Sequence, residues 1–273
     1  MLASLQVTDG RHELALESAR KAVSFAPNNS AAHEYLANVL VYAGRHDEAL
    51  EAMETALRLN TKPSPSSHGR MGWTLFFNRR YDEAREHLEK TGEGGSWEEY
   101  LAMTYAELGW TAEAKVAMDN VFDDVPFANL AYYSVLYANF KRKEDLEHLI
   151  GALAKAGMPA WAYGYKPREN ERLDSAAVRS LAFGHSWVGR DSAGAEFFQQ
   201  LTDDGRVALR SRGLLLTGTV RIEGDLLCFE FPAAALGRRD CGYVYRNPQG
   251  TPQEHNEYVQ IALRAIYHFS VAP

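Results

Sequence analysis

Cysteine is scarce in these 273 residues, and the two present, Cys228 and Cys241, decide little by count. A structural zinc site needs four closely spaced ligands, and His185, His255 and His268 are too scattered to complete one. No apolar run approaches the roughly 18 residues that span a bilayer, so no membrane insertion is expected within this chain. The opening MLASLQVTDGRHE has neither the basic start nor the long apolar stretch of a signal peptide, and taken alone it reads as cytoplasmic. Basic charge is in deficit. The 29 Lys and Arg against 36 Asp and Glu give a formal net charge of −7, which argues against nucleic acid as a partner. No Ser-His-Asp order, nucleophile elbow, phosphate loop or dinucleotide fingerprint occurs. These absences leave no catalytic residue, metal or cofactor to assign. What remains is a composition of soluble globular type, 46% hydrophobic and 24% charged, with length enough for two domains.

What is present is self-similarity. MLASLQVTDGRHELAL is followed 34 residues later by YLANVLVYAGRHDEAL. The small residues Ala3, Ala37, Gly72 and Ala102 are spaced 34, 35 and 30 apart, and Ala15, Ala49, Ala84 and Ala114 repeat the same three spacings. Gly10, Gly44 and Gly109 stand between the paired helices, where a helix end favours positive φ, and Pro27 and Pro126 close second helices. This pattern resembles the tetratricopeptide repeat, a 34-residue helix–turn–helix unit. Leu36, Ala37, Leu40, Gly44, Ala49, Met53 and Ala56 fall on that family's packing positions, as do Leu101, Ala102, Tyr105, Gly109, Ala114, Met118, Val121 and Pro126. The 65–94 unit fits through Met71, Gly72, Leu75, Tyr81, Ala84 and Leu88 but not Thr91. A fourth unit, about 127–156, is degenerate, with Leu136 where a small residue is usual. Residues 1–9 read as the last half of a first helix, so the first repeat is expected to be truncated and the chain to be the carboxyl-terminal part of a longer protein. A short capping helix is the alternative.

Periodicity changes near Gly157. Residues 157–172 carry Gly, Pro and aromatics without period and read as a linker on which Trp161, Tyr163 and Tyr165 pack back onto a domain. LDSAAVRSLAFG predicts a short helix capped by Asp174 or Ser175. Beyond Gly184 come short strands and tight turns, among them a hairpin over LTGTVRIEGDLLCFEF turning at Gly224-Asp225. The expected fold is therefore an α solenoid over 1–156, a linker over 157–172, and a small antiparallel β-rich barrel or sandwich over 173–273.

Phe-Gly-x-x-Trp-x-Gly at 183–189, Asp-Gly-Arg at 204–206, Gly-Thr-x-Arg-Ile-Glu-Gly-Asp-x-Leu-Cys at 218–228 and Cys-Gly-x-Val-Tyr-Arg-Asn-Pro-x-Gly at 241–250 are together similar to an uncharacterised tail. That tail follows tetratricopeptide repeats in some alphaproteobacterial adenylate/guanylate cyclase-domain proteins. The resemblance implies a regulatory or sensory region of a cyclase-like signalling protein, periplasmic if a membrane segment precedes it. None of the cyclase's own elements is present.

The repeat resemblance places Asn38, Tyr42, Trp73, Phe76, Phe77, Met103, Tyr133, Tyr137 and Phe140 on a concave groove, together with Val41, Ala106 and Glu107. Such an apolar wall implies a protein or peptide partner, or filling by the chain's own carboxyl-terminal domain. The family's carboxylate clamp is not expected, since Glu34 stands where a Lys belongs and only Asn38 fits. Cys228 and Cys241 lie in successive strands and read either as a disulfide or as buried thiols. His185, Glu230, Asp240, His255 and Glu257 are polar without catalytic order, and Arg238, Arg239 and Arg246 read as solvated charges or an anion contact. The sequence thus points to an interaction scaffold or sensory module. The alternative is a small-molecule-binding barrel held on the repeats.

Overall fold

Helix capping and the small-residue spacing set the first half of the chain. The computed structural model describes residues 11–92, 97–232 and 239–272, and the expected half helix over 1–9 lies outside them. Helix α1 His12–Phe25 comes first. Three helical hairpins follow, α2 Ser30–Tyr42 with α3 His46–Leu59, α4 Pro65–Phe77 with α5 Tyr81–Leu88, and α6 Glu98–Leu108 with α7 Thr111–Asp124. Asn29 caps α2 by accepting from Ala31 N at 3.0 Å, and Ser64 caps α4 by accepting from Ser67 N at 3.1 Å. The second helices bury small residues, Ala49, Ala52 and Ala56 in α3 and Ala114 and Ala117 in α7, with Met53 and Met118 buried beside them. Close approach requires them, since a Cβ on Gly72 would lie 2.4 Å from Leu88 Cγ.

The short third spacing has a local cause. Helices α1, α3 and α7 have 14 residues each, but α5 has 8 and ends in a 3₁₀ turn, Glu89–Thr91. Thr91 fails the repeat pattern because the α-helix has already ended there. The fourth unit is α8 Leu130–Leu136 and α9 Lys143–Lys155, and its first helix has only 7 residues. Leu136, the expected misfit, is 40% exposed.

The described residues fall into two units: those up to Pro126 with Leu130–Met158, and Phe127–Asn129 with Pro159 onward. Most of the stretch read as a linker therefore belongs to the second unit. Trp161 and Tyr165 pack on Tyr245, Val259, Ile261 and Ile266, whereas Tyr163 is half exposed.

The second unit begins with α10 Ser175–Ala182, capped by Asp174 Oδ1 accepting from Ala177 N at 2.8 Å. Eight antiparallel strands follow: β1 Ser186–Asp191, β2 Glu196–Leu201, β3 Arg206–Ser211, β4 Leu214–Glu223, β5 Leu226–Glu230, β6 Arg239–Arg246, β7 Tyr258–Ala262 and β8 Ile266–Val271. Each pairs with the next, and β8 pairs with β1, closing a barrel rather than a sandwich. The segment YVQIALRAIYHFS is two of these strands, β7 and β8. Val178 and Ala182 of α10 join the barrel core with Trp187, Leu201, Leu227 and Phe269. Trp187 stacks on Phe269 at 4.0 Å and donates from Nε1 to Leu181 O at 3.1 Å. Cys228 and Cys241 are direct cross-strand partners on β5 and β6 and are disulfide-bonded, a constraint worth roughly 3 kcal/mol for a loop this short.

Candidate functional site

Two places gather side chains that could receive a ligand. The first is the inner face of the helical unit. Tyr42 from α2 and Trp73, Phe76 and Phe77 from α4 form one aromatic wall, and Met103 of α6 is buried. Trp73 packs edge-on to Phe77 at 4.5 Å and to Tyr100 at 4.7 Å. Tyr133, Tyr137 and Phe140 do not extend this wall as the sequence implies. Tyr137 and Phe140 lie against it, and Tyr133 stacks on Tyr137 at 5.9 Å. Phe140 stacks on Tyr42 at 4.8 Å and meets Phe77 at 5.1 Å, while Tyr137 lies 5.9 Å from Trp73. The Tyr137 and Tyr100 hydroxyls are hydrogen-bonded. Trp73, Phe76, Phe77, Met103, Tyr133, Tyr137 and Phe140 are consequently buried, with Asn38 and Tyr42 half-buried. Phe140 and Tyr137 of the degenerate fourth repeat cover this face.

Polar contacts fix that arrangement. Lys141 N donates to Tyr42 O at 2.9 Å, and Lys141 Nζ meets Glu13 Oε1 at 2.6 Å. The missing side chain of Gly44 leaves room for Arg142, whose Cδ would lie 2.2 Å from a Cβ there. His46 Nε2 donates to the buried Asp145 Oδ1 at 2.9 Å. His148 stacks on Phe76 at 4.6 Å, and its Nε2 lies 3.1 Å from Tyr81 Oη. Burial first, then the charge of Arg79 and the neighbouring His46, push the His148 pKa down to about 4.

The second place is inside the barrel. Alternation along the strands points every second side chain inward, and toward one end these leave a cavity of about 210 Å³. Trp187, Phe197, Leu209, Leu216, Phe229 and Phe231 give it an apolar lining. Gln199, Asp240, Gln260, Arg264 and Tyr267 bring polar atoms to the same space. Gln260 Nε2 is used, donating to Leu227 O at 3.2 Å. Gln199 Nε2 and Asp240 Oδ1 are buried and have no hydrogen-bond partner among the described residues. Burial pushes the Asp240 carboxyl above its ordinary range, against the charge of Arg264 and a hydrogen bond from the Leu263 backbone.

Of the polar residues singled out from sequence that lie among the described residues, only Asp240 lines this cavity. His185 and His255 are exposed, Glu257 is half-buried elsewhere, and Glu230 pairs with Arg221 at 3.5 Å. Arg239 pairs with Glu223, Arg246 lies over the Tyr258 ring, and Arg238 falls outside the described residues. Glu34, which interrupts the carboxylate clamp, is buried and accepts from Ser67 Oγ at 2.7 Å. Among the described residues, the group of His, Cys, Asp or Glu close enough to share a metal is Glu223 with Cys228 and Cys241, and the two sulfurs are already bonded to each other. No helix among the described residues is long and apolar enough to cross a membrane. Gln199, Gln260, Arg264 and Tyr267 went unmarked in the sequence. A glutamine at an inward position of an otherwise apolar strand is the signal that would have found the first two.

A search of the curated proteins finds no match. Among solved structures, MamA from Desulfovibrio magneticus RS-1 is 18% identical, with a TM-score of 0.41, covering 57% of this chain and 89% of its own. YrrB, a TPR protein with an unusual peptide-binding site, is 22% identical with a TM-score of 0.39, covering 56% of this chain and 80% of its own. TTC0263, a thermophilic TPR protein in Thermus thermophilus, is 20% identical with a TM-score of 0.38, covering 56% and 78%. The family model described as tetratricopeptide repeat matches residues 1–67 and 36–92. With the paired helices and small-residue packing described above, this shows that the amino-terminal part of the chain carries tetratricopeptide repeats.

Proposed function

We propose that the chain is a protein-interaction scaffold whose helical unit receives a partner segment on the wall formed by Tyr42, Trp73, Phe76, Phe77 and Met103. Residues 130–142 are the resident occupant that such a partner displaces. The observation carrying this reading is the seating of Phe140 and Tyr137 among Tyr42, Trp73 and Phe77. Tyr133 sits in α8, while Tyr137 and Phe140, four and seven residues on, follow its end, so the occupant is a short helix and the turn after it carrying three aromatic anchors. The partner's chemistry follows: an amphipathic segment with aromatics at that spacing. The tetratricopeptide repeats support the scaffold role. The likeness of 160–273 to the tail of cyclase-domain proteins supports its placement as a non-catalytic region of a signalling protein.

The test uses the full chain and a fluorescein-labelled peptide of residues 130–142. Tyr137→Ala with Phe140→Ala empties the wall, and fluorescence anisotropy reads peptide binding. The double variant is expected to bind the peptide at micromolar concentration, and the parent chain not to. Adding Trp73→Ala is expected to abolish binding. A double variant that keeps its helical circular dichroism and a cooperative melt, yet binds nothing, overturns the proposal.

A further inference from the structure

The barrel cavity is independent of the aromatic wall and poses a separate chemical problem. Gln199 and Asp240 line it, and each carries one buried side-chain atom without a hydrogen-bond partner among the described residues, a donor on Gln199 and an acceptor on Asp240. Each has given up its hydrogen bonds to water without a replacement, which opposes folding until something pairs with it. Gln199 is 7% exposed, so bulk solvent does not satisfy its amide. The rest of the lining is aromatic and aliphatic, set on the strands of the closed barrel. That is the composition of a pocket for a small apolar molecule with a few convergent polar groups for orientation.

The charges narrow the ligand further. Asp240 and Arg264 both line the cavity with opposite sign, and no ion pair between them within 4.0 Å occurs. An organic cation would gain from Asp240 and lose to Arg264, and an organic anion the reverse. A neutral molecule avoids both penalties. To complete the unpaired atoms it needs one N–H or O–H for Asp240 and one carbonyl-type oxygen for Gln199. To fill the space it needs a flat ring that stacks among Trp187, Phe197 and Phe229.

From this we infer that the barrel is a binding site for a small, neutral, flat ring compound with a cyclic-amide edge, donating to Asp240 and accepting from Gln199. The barrel then supplies a ligand-responsive element to the chain. No bond is made or broken.

Calorimetry and thermal melting of the full chain with three fused-ring probes test this. Oxindole has the neutral N–H and C=O edge, indene has the ring without the edge, and 2-aminoindane carries an ammonium. Oxindole is expected to bind and raise the melting temperature, and to bind at least tenfold more tightly than either other probe. Gln199→Leu is expected to weaken oxindole about tenfold and leave indene unchanged, and Leu209→Trp to fill the cavity and abolish oxindole binding. The probe comparison on the parent chain stands even where a variant fails to fold. Equal affinity for oxindole and indene, preference for 2-aminoindane, or no binding by a natively melting chain overturns the inference. Each result is read without the 130–142 peptide, so it leaves the scaffold proposal untouched.

Discussion

Phe140 lies flat against Tyr42, ring centroids 4.8 Å apart, although Tyr42 ends the second helix and Phe140 follows the eighth. A plain solenoid, in which each repeat touches only its neighbours, would keep them apart. The break after the seven-residue α8 lets the chain turn inward at Tyr137, and the aromatic ladder from Tyr42 to Trp73 and Phe77 gives it an apolar face to cover. The helical unit thereby acquires long-range contacts that repeats alone do not provide.

That contact should be measurable as stability. Phe140 is 8% exposed and meets four other rings, so Phe140→Ala is expected to cost about 3–5 kcal/mol. Phe25→Ala, at a ring 78% exposed, should change stability by less than about 0.5 kcal/mol. Urea unfolding of the two variants side by side checks this. Equal midpoints would mean that the segment does not rest on the wall in solution.

Two partly buried groups near the same wall give opposite pH trends. His148 has its pKa pushed down from 6.5 to about 4, so between those values the unfolded chain takes a proton that the folded chain refuses. Stability therefore falls as the pH drops from 6.5 toward 4, by at most about 3 kcal/mol and by less given solvent screening. Glu99 is raised from 4.5 to about 7, mainly by burial. Its carboxyl is neutral in both states below 4.5 and charged in both above 7, so stability falls as the pH rises across that interval. His148→Phe should flatten the acid limb of a stability–pH curve, and Glu99→Gln the limb up to pH 7. A curve unchanged by either substitution would show that these groups do not titrate with folding.

The repeats were legible because close helix packing writes itself into small residues at fixed spacing: Ala37, Gly72 and Ala102 are all buried where the pattern puts them. The strands were legible from alternation, as in β4, where Val220 is buried between exposed Thr219 and Arg221. The inward turn at Tyr137 was not legible. Tyr133, Tyr137 and Phe140 have the same spacing whether they form a wall or cover one, and only the length of α8 decides between the two. The cavity was likewise hidden, since Gln199 and Gln260 lie on strands that pair around a closed ring, and closure is a property of the β1–β8 register rather than of either strand.

A last prediction comes from the place where the repeat lost its glycine. Gly44 and Gly109 end first helices with φ of 72° and 80°, and in the unit between them the corresponding residue is Arg79 at φ 61°. A left-handed conformation costs a side-chain-bearing residue about 1–2 kcal/mol, while glycine loses about 0.5–1 kcal/mol in chain entropy. Arg79→Gly should thus stabilise the chain by about 0.5–1 kcal/mol near neutral pH, since the hydrogen bond from its guanidinium to Tyr81 Oη at 3.2 Å is exposed and worth little. Arg79 also helps hold the His148 pKa down, so its removal should add further stability at pH 5, where His148 protonation opposes folding. Gly109→Ala supplies the converse. Nothing lies within 4 Å of a Cβ there, so its expected loss of about 1 kcal/mol isolates the backbone term from any clash. Thermal melts of both variants at pH 7.5 and pH 5 decide the matter. A destabilised Arg79→Gly at both pH values would mean that the arginine side chain, and not the turn geometry, is what the third repeat requires.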